Sequence, residues 1–215
     1  MAGSAYKAVI FDFGGVLCFP PTENQFADAA ARVGLSTAAF VESFWHDRLE
    51  YDRGEDAKLY WQKVASHAGR TLDPLTIEEM IAREIDFWSH FDQRLFDWTR
   101  VLRNQGIRTG ILSNLPRPLG EHLKTLPHFL NHFDRVTFSY ELNLVKPQAG
   151  IYQHCLNGLG LEGLGLQPGE ALFLDDRPEN VDGARAVGLE AHLFTTWEEF
   201  LQANEARYGL PIEQT

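Results

Sequence analysis

Lys7-Ala-Val-Ile-Phe-Asp12-Phe-Gly-Gly15 is the stretch whose reading decides the fold. Its apolar run, rich in branched and aromatic residues, is a strand signal, and it ends at an acid followed by two glycines, a strand-then-turn pattern. Two later runs repeat the form: Ile107 to Leu112 ends at Ser113-Asn114, and Ala171 to Leu174 ends at Asp175-Asp176. The first and third are apolar throughout instead of alternating, and the second ends in Ile-Leu, as expected for parallel strands covered by helices on both faces.

Working outward, Arg135 to Phe138 and Glu190 to Phe194 are weaker strand candidates. Helical segments are expected around Leu119 to Leu126, Ala149 to Leu159, Glu179 to Val187 and Trp197 to Ala206. Strands alternating with helices predict an α/β fold with a doubly wound parallel sheet. Between the first two strands, Thr22 to Gln105 holds no convincing strand and reads as an α-helical insertion of about four helices. Thr22-Glu-Asn-Gln25 resembles a capping box ahead of Phe26 to Val33. Ser36 precedes Phe40, Val41, Phe44 and Trp45 at helical spacing, and Leu59 to Val64 and Leu75 to Trp88 continue the pattern. The expected division is a core of residues 1–18 and 106–215 around an inserted cap of residues 19–105.

The chain has 215 residues, 44% hydrophobic and 12% aromatic, which suits one large domain or a core with an insertion and excludes disorder as the main state. A net charge of −11 repels polyanions, so nucleic acid is not an expected partner. Cys18 and Cys155 belong to no CxxC pair and sit in apolar surroundings, as buried free thiols in a reducing compartment would. No apolar run approaches the roughly 18 residues of a membrane span, and a cytoplasmic location is expected. Oligomeric state leaves no mark in the sequence.

Ligands of an open parallel sheet sit beyond the carboxyl ends of its strands. That rule gathers Asp12, Ser113, Asn114, Asp175 and Asp176 at one edge. Three carboxylates so close repel one another unless a cation neutralises them, and an oxygen-only set points to Mg²⁺. One carboxylate is then free to attack phosphorus and form an aspartyl phosphate. Lys146, in Val145-Lys-Pro147, is the expected second cation. Ser113 and the amide of Asn114 would hold the remaining phosphate oxygens.

The four segments Val9-Ile-Phe-Asp12-Phe-Gly-Gly-Val-Leu17, Ile111-Leu-Ser113-Asn, Val145-Lys146-Pro and Leu172-Phe-Leu-Asp175-Asp176 resemble, in order, the motifs of the haloacid dehalogenase-like hydrolase superfamily. Arg53-Gly-Glu55, the run from Val145 to Tyr152 and Phe173 to Asn180 are similar to helical-cap members, including the amino-terminal phosphatase domain of soluble epoxide hydrolases and bacterial sugar-phosphate phosphatases. The resemblance implies a Rossmann-like core and a Mg²⁺-dependent phosphatase acting on a small phosphorylated metabolite. Asp12 would be the nucleophile, with Ser113 and Lys146 binding phosphate. Asp12, Asp176 and the Gly14 carbonyl would ligate Mg²⁺, Asp175 would do so directly or through a neighbour, and Asn180 would orient the lysine or the last motif. One departure matters: the family pattern is Asp-x-Asp, whereas Gly14 replaces the second aspartate, which protonates the leaving group.

Taken singly these residues have plainer readings. Asp12 beside Gly-Gly suits a turn, Asp175-Asp176 suits a helix cap, and Lys146 suits a surface lysine. Gly14 also suits a turn that requires positive φ. His128 and His132 have metal-pair spacing but lack a third ligand. Among Arg53, Arg117 and Arg177, the last is the best substrate-binding candidate because it follows the acidic pair. Two rival functions stand beside the phosphatase: a carbon–halogen hydrolase, disfavoured by the retained acidic pair, and a catalytically weakened binding or regulatory domain, motivated by Gly14.

Overall fold

The computed structural model describes residues 5–127, 129–160 and 165–212. Its strands β1 (Ala8–Phe11), β2 (Arg108–Ser113), β3 (Arg135–Phe138), β4 (Ala171–Asp175) and β5 (Glu190–Leu193) form one parallel sheet in the order β3-β2-β1-β4-β5. The chain winds outward from β1 in both directions, which makes the β1–β4 boundary the switch point where ligands sit. All four residues of β1 are wholly buried because helices cover both faces. Val9 and Phe11 join one apolar cluster with Leu172 and Leu174, while Ala8 and Ile10 join the other with Ala171 and Phe173.

The segment after β1 is helical as expected. It comprises α1 (Glu23–Arg32), α2 (Thr37–His46), α3 (Arg48–Arg53), α4 (Ala57–Ser66), α5 (Pro74–Phe87) and α6 (Gln93–Asn104). The Thr22–Gln25 capping box is present, and Ser36 caps α2 through Ala39 N. Phe26, Phe40, Phe44 and Trp61 interlock among α1, α2 and α4 at centroid distances of 5.6–6.3 Å. Truncating a ring as buried as Trp61 costs roughly 3–5 kcal/mol.

Two of these helices exceed the expected four. The buried side of α3 is made of Arg48, Tyr51 and Asp52, so it carries no apolar stripe for periodicity to detect. Helix α6 seats Leu95, Trp98 and Leu102 toward the sheet, with Trp98 edge-on to Phe11 at 5.6 Å. The remaining helices are α7 (Arg117–Thr125), α8 (Ser139–Leu142), α9 (Ala149–Gly160), α10 (Pro178–Ala186) and α11 (Trp197–Ala203). Buried Ser139 stitches α3 to the sheet side: its hydroxyl donates to Asp52 O and accepts from Leu115 N at 3.0 Å.

Candidate active site

Register places the acids. Phe11 lies opposite Leu174, so Asp12 stands level with Asp175 on the adjacent parallel strand, and Asp12 N donates to Leu174 O at 2.8 Å. In-register neighbours on parallel strands point to the same face about 4.8 Å apart, so two carboxylates meet there. Lys146 answers them: its Nζ lies 2.8 Å from Asp12 Oδ1 and donates to Asp175 Oδ2 at 2.6 Å. The lysine loop is itself clamped by Asn114, whose Oδ1 accepts from Lys146 N at 2.8 Å and whose Nδ2 donates to Lys146 O at 3.0 Å. That clamp is a task for Asn114 that sequence spacing did not reveal.

Asp175 is fully covered and its oxygens are engaged. Oδ1 accepts from Arg177 N at 2.9 Å and Asn180 Nδ2 at 3.0 Å, while Oδ2 accepts from Lys146. Asn180 thus orients Asp175, which in turn holds the lysine. Asp12 Oδ1 takes both of these contacts, from Phe13 N and from Lys146, while Oδ2 takes neither. Ligand oxygens of Asp12, Asp175 and Asp176 come within 4.8 Å of one another.

Burial pushes the Asp12 carboxyl up to about 7; Lys146 opposes the rise, and Asp175 and Asp176 add to it. Asp176 is likewise raised by burial and by Asp175. For Lys146 burial acts downward, but the attraction of Asp12 and Asp175 leaves it raised and charged. One lysine is too little positive charge for three acids, and an all-oxygen donor set with a charge deficit suits a hard divalent cation.

A cavity of about 240 Å³ opens over this edge, lined at its floor by Asp12, Gly14, Ser113, Asn114, Lys146 and Asp176. Its upper walls are Pro20, Pro21, Phe26, Trp45 and Trp88, with Leu115 and Leu119 from the strand-β2 side. Arg177 reaches the rim, yet its guanidinium donates to Glu179 at 2.7 Å. Arg53 and Arg117 are not lining residues. Arg53 bonds Gln148 Oε1 at 3.2 Å, and Arg117 lies over the Tyr140 ring at 5.0 Å. Of the histidine pair, His128 is outside the described residues, and His132 Nδ1 is hydrogen-bonded to Thr99 Oγ1 at 2.8 Å.

Arg48 and Asp52 also line the cavity, and sequence reasoning missed both. Arg48 Nε donates to Asp52 Oδ1 at 2.8 Å, its Nη1 donates to Glu84, and Tyr51 Oη donates to Glu84 Oε2 at 3.0 Å. Burial raises both Asp52 and Glu84 against the pull of Arg48. The i, i+4 spacing of Arg48 and Asp52 was the available signal, but it ordinarily marks a solvated helix face.

Gly14 does not occupy a left-handed conformation; the turn's positive φ belongs to Gly15, at 77°. This corrects the expectation of positive φ at position 14, though not that of a close approach there. A Cβ on Gly14 would stand 2.9 Å from Trp88 Cζ3, so the indole fills the space a second motif aspartate would use. Cys18 and Cys155 are free and buried, and burial pushes their thiols up to about 12 and about 11. Among the described residues no helix is long and apolar enough to cross a membrane.

The haloacid dehalogenase-like hydrolase profile matches residues 6–188. A sesquiterpene phosphatase of Aspergillus oryzae is 28% identical, over 86% of this chain and 88% of its own length. A D-ribitol-5-phosphate phosphatase of Bacteroides thetaiotaomicron is 26% identical, over 86% and 89%. The chain spans only 20% of the length of another relative, the Mus musculus acyl-CoA dehydrogenase family member 10, to which it is 26% identical over 98% of this chain. A crystal structure of a haloacid dehalogenase-family enzyme from Bacteroides thetaiotaomicron, in complex with magnesium and inorganic phosphate, superposes with a TM-score of 0.69 at 19% identity, covering 91% of this chain and 98% of that one. With a profile match across most of its length and the strand-end acids brought to one edge, the chain belongs to the haloacid dehalogenase-like hydrolases.

Proposed function

We propose that this hydrolase cleaves phosphomonoesters through an aspartyl-phosphate on Asp12, using Mg²⁺. The observation that carries the reading is the Lys146 ammonium set between Asp12 and Asp175, with Asp176 within ligand distance of both. Asp12 Oδ2 attacks phosphorus and the ester oxygen departs with its electron pair; water then attacks the acyl phosphate and returns Asp12 as a carboxylate. Lys146 and the Ser113 hydroxyl stabilise the transferring group's oxygens, and the Asn114 backbone N–H after β2 adds a donor. Asp12, Asp176 and the Gly14 carbonyl would hold the metal. Asp175, already engaged by three donors, fits a positioning role better. Bound Mg²⁺ would supply charge neutralisation for nucleophile and phosphate together.

Residues 19–105 would act as the cap that selects the substrate. Its contribution to the cavity is chiefly apolar, from Phe26, Trp45 and Trp88, with Arg48 and Asp52 as the polar exception. That lining favours a phosphate ester with an apolar body, closer in kind to a terpenyl or aryl phosphate than to a polyol phosphate. Its free, buried thiols favour a reducing compartment such as the cytoplasm.

The purified protein should release the phenolate from p-nitrophenyl phosphate with Mg²⁺ and stop when the metal is chelated. Absence of release from aryl and terpenyl phosphates at saturating Mg²⁺ would reject a phosphatase and favour the weakened binding domain. Release of halide from a 2-haloacid without metal would favour the carbon–halogen reaction.

A further inference from the structure

The sheet edge is not the only meeting of metal-ligating side chains among the described residues: His46, Asp47 and His67 converge on the surface of the helical insertion. His46 closes α2, Asp47 joins α2 to α3, and His67 follows the last residue of α4. His67 Nε2 lies 2.8 Å from Asp47 Oδ2, His46 Nδ1 lies 3.4 Å from Oδ1, and the two imidazoles stand 4.2 Å apart between centroids. Asp47 precedes α3 without capping it, whereas Asp56, Asp73 and Asp92 each cap the helix they precede. Its carboxylate is turned to the histidines instead. The nearby cations are engaged elsewhere, Lys63 with Glu55 at 2.5 Å and Arg48 with Asp52 and Glu84.

We propose that His46, Asp47 and His67 form a second metal site, for Zn²⁺ or a similar borderline divalent cation. Donor atoms of the three already lie within 4.8 Å of one another. Around tetrahedral Zn²⁺, with bonds of about 2.0–2.1 Å, donors stand about 3.3 Å apart, so modest ring rotation completes the set. Two imidazole nitrogens and one carboxylate select Zn²⁺, Co²⁺ or Ni²⁺ over Mg²⁺, and the exposure of His46 leaves a fourth position to water. The ion joins the α2–α3 corner to the end of α4. Trp45 and Arg48, which flank the ligands in sequence, line the cavity, so the ion braces a wall of the proposed active site.

The test reads binding, not turnover, and so stands apart from the phosphatase assay. Asp176→Ala removes the exposed ligand of the carboxylate site and serves as background. In it, calorimetry should show Zn²⁺ binding that millimolar Mg²⁺ does not displace, and Co²⁺ should give the intense visible bands of a tetrahedral site. Adding His67→Ala should weaken Zn²⁺ at least ~30-fold and bleach the Co²⁺ bands, and His46→Ala should do the same. Both histidines are partly exposed, so both variants are expected to fold. Unchanged Zn²⁺ affinity and Co²⁺ spectrum in either double variant, or no Zn²⁺ binding in Asp176→Ala, would overturn the proposal.

Discussion

Single positions decide the chemistry. Asp12→Asn keeps the shape and removes the proposed nucleophile, so turnover should fall ~10³-fold or more with an unaltered circular dichroism spectrum; wild-type-like turnover of the pure variant would dismiss Asp12. Gly14 raises a subtler question. With Trp88 filling the space of the motif's second aspartate, the leaving oxygen in the proposed reaction would depart without that proton donor, a contribution ordinarily of ~10²–10⁴ in rate. Aryl, acyl and anomeric sugar phosphates should therefore turn over faster than primary alkyl phosphates, with a steep dependence on leaving-group pKa. Gly14→Asp alone should not flatten that dependence, because its Cβ meets the indole. Combined with Trp88→Ala it should, since the backbone at position 14 accepts a side chain. Equal efficiency of the wild type on alkyl and aryl esters, with chemistry limiting, would refute the account.

At the scale of elements, what was legible follows from where burial left a pattern. The strands β1 and β4 were readable because burial on both faces makes them unbroken apolar runs, and their terminal acids followed from the topology rule. Helix α3 was not, because its inward side carries Arg48 and Asp52, which, like Glu84 of α5, look like surface residues until a tertiary contact buries them together. Nor could the Asn114 clamp on Lys146 be seen, since it joins residues 32 apart through backbone atoms. The α3 cluster carries its own prediction. Arg48→Met leaves two buried carboxylates without a cation and should cost roughly 3–5 kcal/mol in chemical denaturation at neutral pH. Asp52 and Glu84 are raised on folding, so their contribution is fullest below the ordinary carboxylate range and is lost as pH rises through their folded values. The variant should accordingly regain stability on acidification, relative to wild type, and Glu84→Gln should restore part of it at pH 7. A deficit independent of pH would show that lost packing, not stranded charge, is the cause.

Across the whole molecule, the proposed site lies where the helical insertion faces the sheet edge, and neither side alone encloses it. The floor is polar and built on strand ends, while the opposing walls are Phe26, Trp45 and Trp88. Among the ties holding those parts together are Ser139, bonded to both Asp52 O and Leu115 N, and Arg53, bonded to Gln148. If the walls select an apolar substrate body, loosening a tie should harm binding and water exclusion before it harms the acids, whose geometry is set by β1–β4 register. Ser139→Ala deprives Leu115 N of its acceptor and Asp52 O of its donor, a loss of about 1–3 kcal/mol in stability. On an aryl phosphate its KM should rise several-fold while Mg²⁺ affinity by calorimetry stays at the wild-type value. On inorganic phosphate as inhibitor, which needs only the floor, the inhibition constant should change less than twofold. Trp45→Ala should raise KM for the same ester without changing phosphate inhibition, because that ring is exposed and bears on no acid. If both variants instead weakened phosphate and Mg²⁺ as much as the ester, walls and floor would be one cooperative site, and the division of labour between insertion and sheet edge would be wrong.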